Sequence, residues 1–159
     1  MQPVVADTGP IIHLDEADAL WLLSIFDTVH VPHTVLEELE RGSTPDALSE
    51  CTVETHVVDG DETAYPNLDP GETAAMLLAD QLETVVLTDD LAARETATEQ
   101  EIEVHGSIGV VLAAYSQDEL TSNEAKSLLR KLHQDTTLYL AKPLLEHAIR
   151  AVTENDNVW

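Results

Sequence analysis

Val85-Val86-Leu87-Thr88-Asp89-Asp90-Leu91-Ala92-Ala93-Arg94 is the stretch on which the reading of this chain turns. Its first three residues are apolar without polar alternation, as expected of a strand buried on both faces. A hydroxyl and two carboxylates follow, and from Leu91 the pattern is helical through Thr98. A strand that runs into acids and then into a helix is one unit of a parallel α/β sheet. Such sheets gather functional groups beyond the carboxyl ends of their strands.

The same design opens the chain, where Val4-Val5-Ala6 runs into Asp7-Thr8-Gly9-Pro10. Helical spacing follows, with Ile12, Leu14, Ala17, Leu20, Leu22 and Leu23 as candidate core positions. Val29-His30-Val31 reads as a second strand, and Pro32 opens a helix whose apolar stripe is Val35, Leu36 and Leu39. Asp46 to Glu50 is a weak helical piece, Val53 to Val58 alternates like a strand, and Asp59 to Pro70 is loop-like. Gly71 to Leu82 is helical, and Ile102 to Val104 is a short strand. Gly106 opens a helix through Tyr115. Thr121 and Glu124 have the spacing of a capping box ahead of Leu128, Leu129 and Leu132, and Pro143 starts a last helix through Val152. Strands alternating with helices predict a parallel sheet covered on both faces, in one domain over residues 1–152, with 153–159 as a flexible C-terminal tail.

Composition bounds the function. The chain has 159 residues, 43% of them hydrophobic, with 7 basic and 31 acidic residues for a formal net charge of −24. Periodic apolar blocks argue against an acidic disordered chain. A folded domain with this charge repels itself in dilute buffer, whereas in molar salt the screening length shrinks to about 3 Å. The acids are scattered through every segment rather than concentrated in one patch for a basic partner. The excess therefore reads as a halophilic surface. Cys51 is the single cysteine, so neither an internal disulfide nor a thiolate zinc site is expected. No segment reads as a signal peptide or a membrane span, which makes a cytoplasmic location the expectation.

Two acidic groups fall at strand ends by context alone, namely Asp7 and the pair Asp89-Asp90, while Glu38 and Glu72 lie in helical segments after other strands. Converging carboxylates are costly unless divalent cations neutralise them, and hard oxygen ligands select magnesium or manganese. Such an ion polarises a phosphodiester and activates water. Most of the 31 acids must be solvated surface. Asp7 and Asp90 stand out because they interrupt apolar-to-turn junctions.

Four segments together resemble the PIN-domain nucleases. Val5-Ala6-Asp7-Thr8-Gly9-Pro10-Ile11-Ile12 is similar to the family's opening motif, and Val31-Pro32-His33-Thr34-Val35-Leu36-Glu37-Glu38-Leu39 to its second. Leu68-Asp69-Pro70-Gly71-Glu72-Thr73-Ala74-Ala75 and Val86 to Arg94 resemble the third and fourth. Stretches from His105 to Gly109 and from Leu140 to Leu145 are similar to one largely uncharacterised prokaryotic branch of the family, whose relatives include VapC-like ribonucleases. The resemblance implies a three-layer α/β/α fold with a central parallel sheet and an acidic pocket for Mg2+ or Mn2+. It assigns Asp7, Glu38, Glu72 and Asp90 to the metal and catalytic positions. Asp89 competes with Asp90 for the fourth role, and Glu72 stands where many relatives carry Asp.

Thr8 either orients Asp7 through its hydroxyl or shapes the turn. Arg94, four residues after Asp90 on a helix, either pairs with it or meets a substrate phosphate, and the ion pair is the favoured expectation. The seven histidines show no ligand spacing and read as surface or packing residues, and Trp21 and Trp159 are too isolated for a base-stacking platform.

The implied activity is hydrolysis of RNA by metal-activated water, either as a toxin restrained by an antitoxin protein or as a housekeeping nuclease. A basic footprint for RNA is nearly absent, with Arg130, Lys131 and Lys142 as the one late strip. The alternative is a binding or regulatory module that kept the fold without catalysis. A phosphohydrolase using Asp7 as nucleophile fits less well, because Gly9 occupies the place of its second aspartate. A homodimer is a further expectation of the resemblance, with the apolar helices from Leu128 to Val152 as the surface.

Overall fold

The computed structural model describes residues 1–42, 48, 51–156 and 159. In chain order the elements are β1 (Val4–Ala6), α1 (Thr8–Glu16), β2 (Val29–Pro32), α2 (His33–Gly42), β3 (Val53–His56), α3 (Pro70–Leu82) and β4 (Val85–Leu87). They continue with α4 (Leu91–Glu99), β5 (Val104–His105), α5 (Ser107–Ser116), α6 (Ser122–Gln134) and α7 (Lys142–Thr153). The strands form one sheet in the order β3-β2-β1-β4-β5, and every pairing is parallel. The expected α/β fold with a central parallel sheet is therefore the observed one.

The strands are short and apolar because both faces are covered. Val4, Ala6, Val29, Val31, Val85 and Leu87 point into a core built with Ile11 and Leu14 of α1, Val110 and Val111 of α5, Leu129 and Leu132 of α6, and Leu145 of α7. Val5 and Val86 point the other way, onto Ala75, Met76 and Ala79 of α3 and Ala93 and Ala97 of α4. Alternate residues of one strand thus feed two cores, giving three layers. Leu129, Leu132, Leu145, Ala148 and Val152, which the sequence offered as a dimer surface, are buried in the chain's own core.

The chain builds β1, β2 and β3 outward on one side, then crosses back to place β4 on the other side of β1. The crevice at such a reversal is where open α/β sheets bind ligands.

Several element boundaries differ from the sequence reading. The helical run from Ile12 to Leu23 is broken: α1 ends at Glu16, Asp18 takes a left-handed φ of 54°, and a 3-10 helix spans Leu20–Ile25. Ile11 is fully buried alongside Leu14, whereas Ile12 is 38% exposed. The fifth strand lies at Val104–His105 rather than from Ile102, because Glu101 turns the backbone with a φ of 59° just before it. The helical piece read at 46–50 lies outside the described residues apart from Leu48, which is buried. Among the described residues no helix is long and apolar enough to cross a membrane. Trp159 stacks on His105 at a centroid separation of 3.8 Å and also meets Phe26.

The capping box at α6 forms as its spacing indicated: the Glu124 amide donates to Thr121 Oγ1 at 3.2 Å, and the Thr121 amide to Glu124 Oε1 at 3.1 Å. Thr121→Ala should lower unfolding free energy by about 1 kcal/mol in denaturant titrations, with the slope unchanged.

Candidate active site

The crevice between β1 and β4 opens into a cavity of about 700 Å³ at the carboxyl ends of the strands. Asp7 reaches it from the end of β1, Glu38 from α2, Asp69 and Glu72 from the start of α3, Asp89 and Asp90 from the β4–α4 junction, and Arg94 one turn into α4. Every site residue read from the sequence, including Thr8, lines this one space. Among the described residues lining it, Arg94 is the one permanent cation.

Asp7 is the anchor. It is only 5% exposed, and its amide still donates to the Leu87 carbonyl at 2.9 Å, so the carboxylate is held by the sheet itself. Its Oδ2 accepts from the hydroxyl of buried Thr88 at 3.1 Å. Burial raises the Asp7 pKa from 3.8 to about 7; the amide of Thr8 and the hydroxyl of Thr88 oppose the rise, while the charges of Glu72 and Asp69 add to it. Thr8 does not orient Asp7 through its hydroxyl. Its Oγ1 donates instead to Glu38 Oε2 at 2.8 Å, because a first-turn side chain of α1 faces α2 rather than its own neighbour. Glu38 Oε1 accepts from the Gly71 amide at 3.1 Å, so one carboxylate ties α1, α2 and α3 together.

At α3, Asp69 and Glu72 form a reciprocal cap. The Glu72 amide donates to Asp69 Oδ1 at 2.7 Å, and the Asp69 amide to Glu72 Oε2 at 2.9 Å. The longer Glu72 side chain is what allows this return bond. Burial raises the Glu72 pKa, the Asp69 amide opposes it, and the charges of Asp69, Asp90 and Glu38 push it further up. The upward push follows from their placement around one cavity.

The two neighbours Asp89 and Asp90 have separate placements. Asp89 has both oxygens engaged: Oδ1 accepts from the Ser107 amide at 2.7 Å, and Oδ2 from the Ser107 hydroxyl at 2.5 Å. Asp89 Oδ2 also lies 2.7 Å from His13 Nδ1. Asp90 caps α4, accepting from the Ala93 amide at 2.9 Å, and contributes to the field on Glu72. No carboxylate among the described residues lies within 4.0 Å of the guanidinium of Arg94, so the expected ion pair is not made. Arg94 instead runs beside Gly106, where an added Cβ would sit 2.7 Å from Nη1 and 2.5 Å from Asp89 Oδ1.

Sequence reasoning missed Asp69, Thr88 and His13 in this site. The capping spacing of Asp69 and Glu72 was a readable signal, and so was a lone hydroxyl between a buried strand and two acids. His13 carried none, since its partner is 76 positions away. The histidines also do not all stay apart: His30 and His56 meet at 2.8 Å on neighbouring strands, outside this cavity. Lys131 of the basic strip is paired with Asp18 at 3.1 Å.

Sheet order, layers and an acid-lined crevice at the strand switch define an α/β scaffold with an acidic cavity at its topological switch point. The chain belongs to the PIN-domain family: a family model described as DUF3368, PIN domain, matches residues 3–154. Members of this family are in general nucleases that use divalent metals. Among solved structures, the fold is similar to a PilT N-terminus domain protein from the hyperthermophilic archaeon Sulfolobus solfataricus P2. The identity is 13% and the TM-score 0.50, with 88% of this chain and 100% of that chain covered. No curated protein sequence matches the chain.

Two outcomes follow from the geometry. Below pH 3.8 both folded and unfolded chains hold a proton on Asp7, whereas between 3.8 and about 7 only the folded chain does. The contribution of this group to stability is therefore full in acid and lost as pH rises through 7. Without divalent metal at about pH 8, Asp7→Asn should be more stable than wild type by on the order of 2–4 kcal/mol in denaturant titrations, and a less stable variant would contradict this electrostatic account. Gly71→Ala places a Cβ 2.5 Å from Glu38 Oε1 and must push that carboxylate aside. It should weaken Mn2+ binding by roughly 10-fold or more while the far-ultraviolet spectrum is retained.

Proposed function

We propose that this chain is a metal-dependent endoribonuclease whose centre is Asp7, Glu38, Glu72 and Asp90. The observation that supports it most is the convergence of these four carboxylates, with Asp69, at the crevice between β1 and β4. A buried aspartate raised to about 7 is the signature of a site that lacks neutralising charge. The donor set is oxygen only, which fits Mg2+ or Mn2+. Asp7, Glu38 and Asp90 would hold the ion, with Glu72 at its edge. Bound there, it would lower the pKa of a water and offset charge on the phosphodiester.

The chain's own residues do the rest. Thr88 fixes Asp7, and Thr8 with the Gly71 amide fixes Glu38, so two ligands are held before substrate arrives. Glu72 spends Oε2 on the helix cap and keeps Oε1 for a ligand bond or for the proton of the attacking water. Arg94, free of any carboxylate partner within salt-bridge reach among the described residues, would take a non-bridging phosphate oxygen. Leu91, Leu138, Tyr139 and Leu144 also line the cavity. Tyr139 is 91% exposed and offers a ring on which a splayed nucleobase can stack.

The net charge of −24 opposes an RNA polyanion, and molar salt screens most of that repulsion. A salt-rich cytoplasm therefore suits both the surface and the proposed substrate. A toxin held by an antitoxin and a housekeeping nuclease would use this same centre.

The test is cleavage of a mixed RNA pool in high potassium chloride, with and without Mn2+ or Mg2+. Activity should require the ion and fall roughly 100-fold or more in Asp7→Asn, while Arg94→Ala should mainly raise KM. Folded protein that binds Mn2+ but cleaves no RNA would overturn the general ribonuclease reading and leave a narrowly selective or binding role.

A further inference from the structure

We propose that His30, Glu54 and His56 form a second metal site, for a divalent transition ion of the zinc class, on the sheet edge between β2 and β3. The site is built by strand register. His30 is paired with Glu54 and Pro32 with His56, so the period-two alternation of a strand puts all three ligand-bearing side chains on one face. His30 Nδ1 and His56 Nε2 lie 2.8 Å apart. Glu54 Oε2 is 3.6 Å from the first nitrogen and 4.0 Å from the second. The three ligand atoms all fall within 4.8 Å of one another.

Those distances match what a tetrahedral ion needs. Bonds of about 2.0–2.2 Å at tetrahedral angles put neighbouring ligand atoms roughly 3.3–3.5 Å apart. The nitrogens need only separate slightly and the carboxylate close in slightly. Two imidazole nitrogens that face each other at 2.8 Å share one proton at most, and an ion bound to both would take that proton's place. The rings are largely enclosed, with 13% and 27% side-chain exposure, whereas Glu54 is 60% exposed and free to swing. The fourth position would be left to water.

The ligand chemistry sets this site apart from the acidic cavity, which neither histidine lines. Oxygen-only ligands select magnesium or manganese, and two imidazoles with a carboxylate select zinc, nickel, cobalt or copper. The placement suggests its purpose. β3 is an edge strand, joined to the sheet on one side only, and an ion shared by its two ligands and His30 of β2 would fasten that edge. The second site does not depend on the nuclease reading.

The test uses the whole chain, stripped with a chelator and held in high potassium chloride. Co2+ is titrated as a spectroscopic stand-in for Zn2+. Wild type and Asp7→Asn should both develop visible d–d bands of tetrahedral intensity that Zn2+ bleaches. The melting temperature should rise with the logarithm of the Zn2+ concentration. His56→Ala and His30→Gln should each weaken this binding at least about 10-fold. Because substituting a largely enclosed ring can impair folding, Glu54→Gln, at an exposed position, provides a second arm and should show a several-fold loss with an unchanged melting temperature in the absence of metal. Bands that vanish in Asp7→Asn but persist in the histidine and Glu54 variants would overturn the proposal, as would the absence of Co2+ binding in folded wild-type protein.

Discussion

The burial of one carboxylate organises this molecule. Asp7 ends the central strand of a five-stranded parallel sheet, and its amide remains bonded to the neighbouring strand. The backbone that carries the side chain is therefore fixed, and the carboxyl group is buried where it stands. Thr88 supplies one hydrogen bond, which offsets only part of the desolvation. Around this fixed point the chain has gathered Glu38, Asp69, Glu72 and Asp90, each of which worsens the local charge or shares the same cavity. A fold that accumulates like charges at its most constrained position has traded stability for a site, a pattern common where function demands strain.

The fold was legible because both periodicities are strong. Val85-Val86-Leu87 and Val4-Val5-Ala6 have no polar break, and the helices after them carry clear apolar spacing, so a covered parallel sheet was the natural reading. Failures came where local chemistry overrides period. Asp18 and Glu101 adopt left-handed backbone, which ends one helix early and shifts the start of β5. Nothing in the spacing of apolar residues reports such turns.

For the site, position was readable and orientation was not. A carboxylate at a strand end is visible in one dimension, and all the expected residues do meet in one cavity. Which oxygen bonds to which amide depends on packing between distant elements. Asp89 and Asp90 are adjacent in sequence, yet one is claimed by Ser107 and His13 and the other by the α4 cap. Thr8 proved a partner of Glu38, thirty positions away, rather than of the residue beside it. His30 and His56 escaped notice for the same reason, since only the strand register brings them together.

The caps of α3 and α4 have a consequence for how the centre comes into being. Asp69, Glu72 and Asp90 are the groups that satisfy the first backbone amides of those helices, and they are also residues of the cavity. The same side chains close the helices and line the cavity, so ordering the helix ends also orders the site. A copy frayed at the starts of α3 and α4 loses the placement of Asp69, Glu72 and Asp90 in the cavity. On the nuclease reading, partly folded copies are silent, and the cell's RNA is exposed only to molecules that have completed their fold.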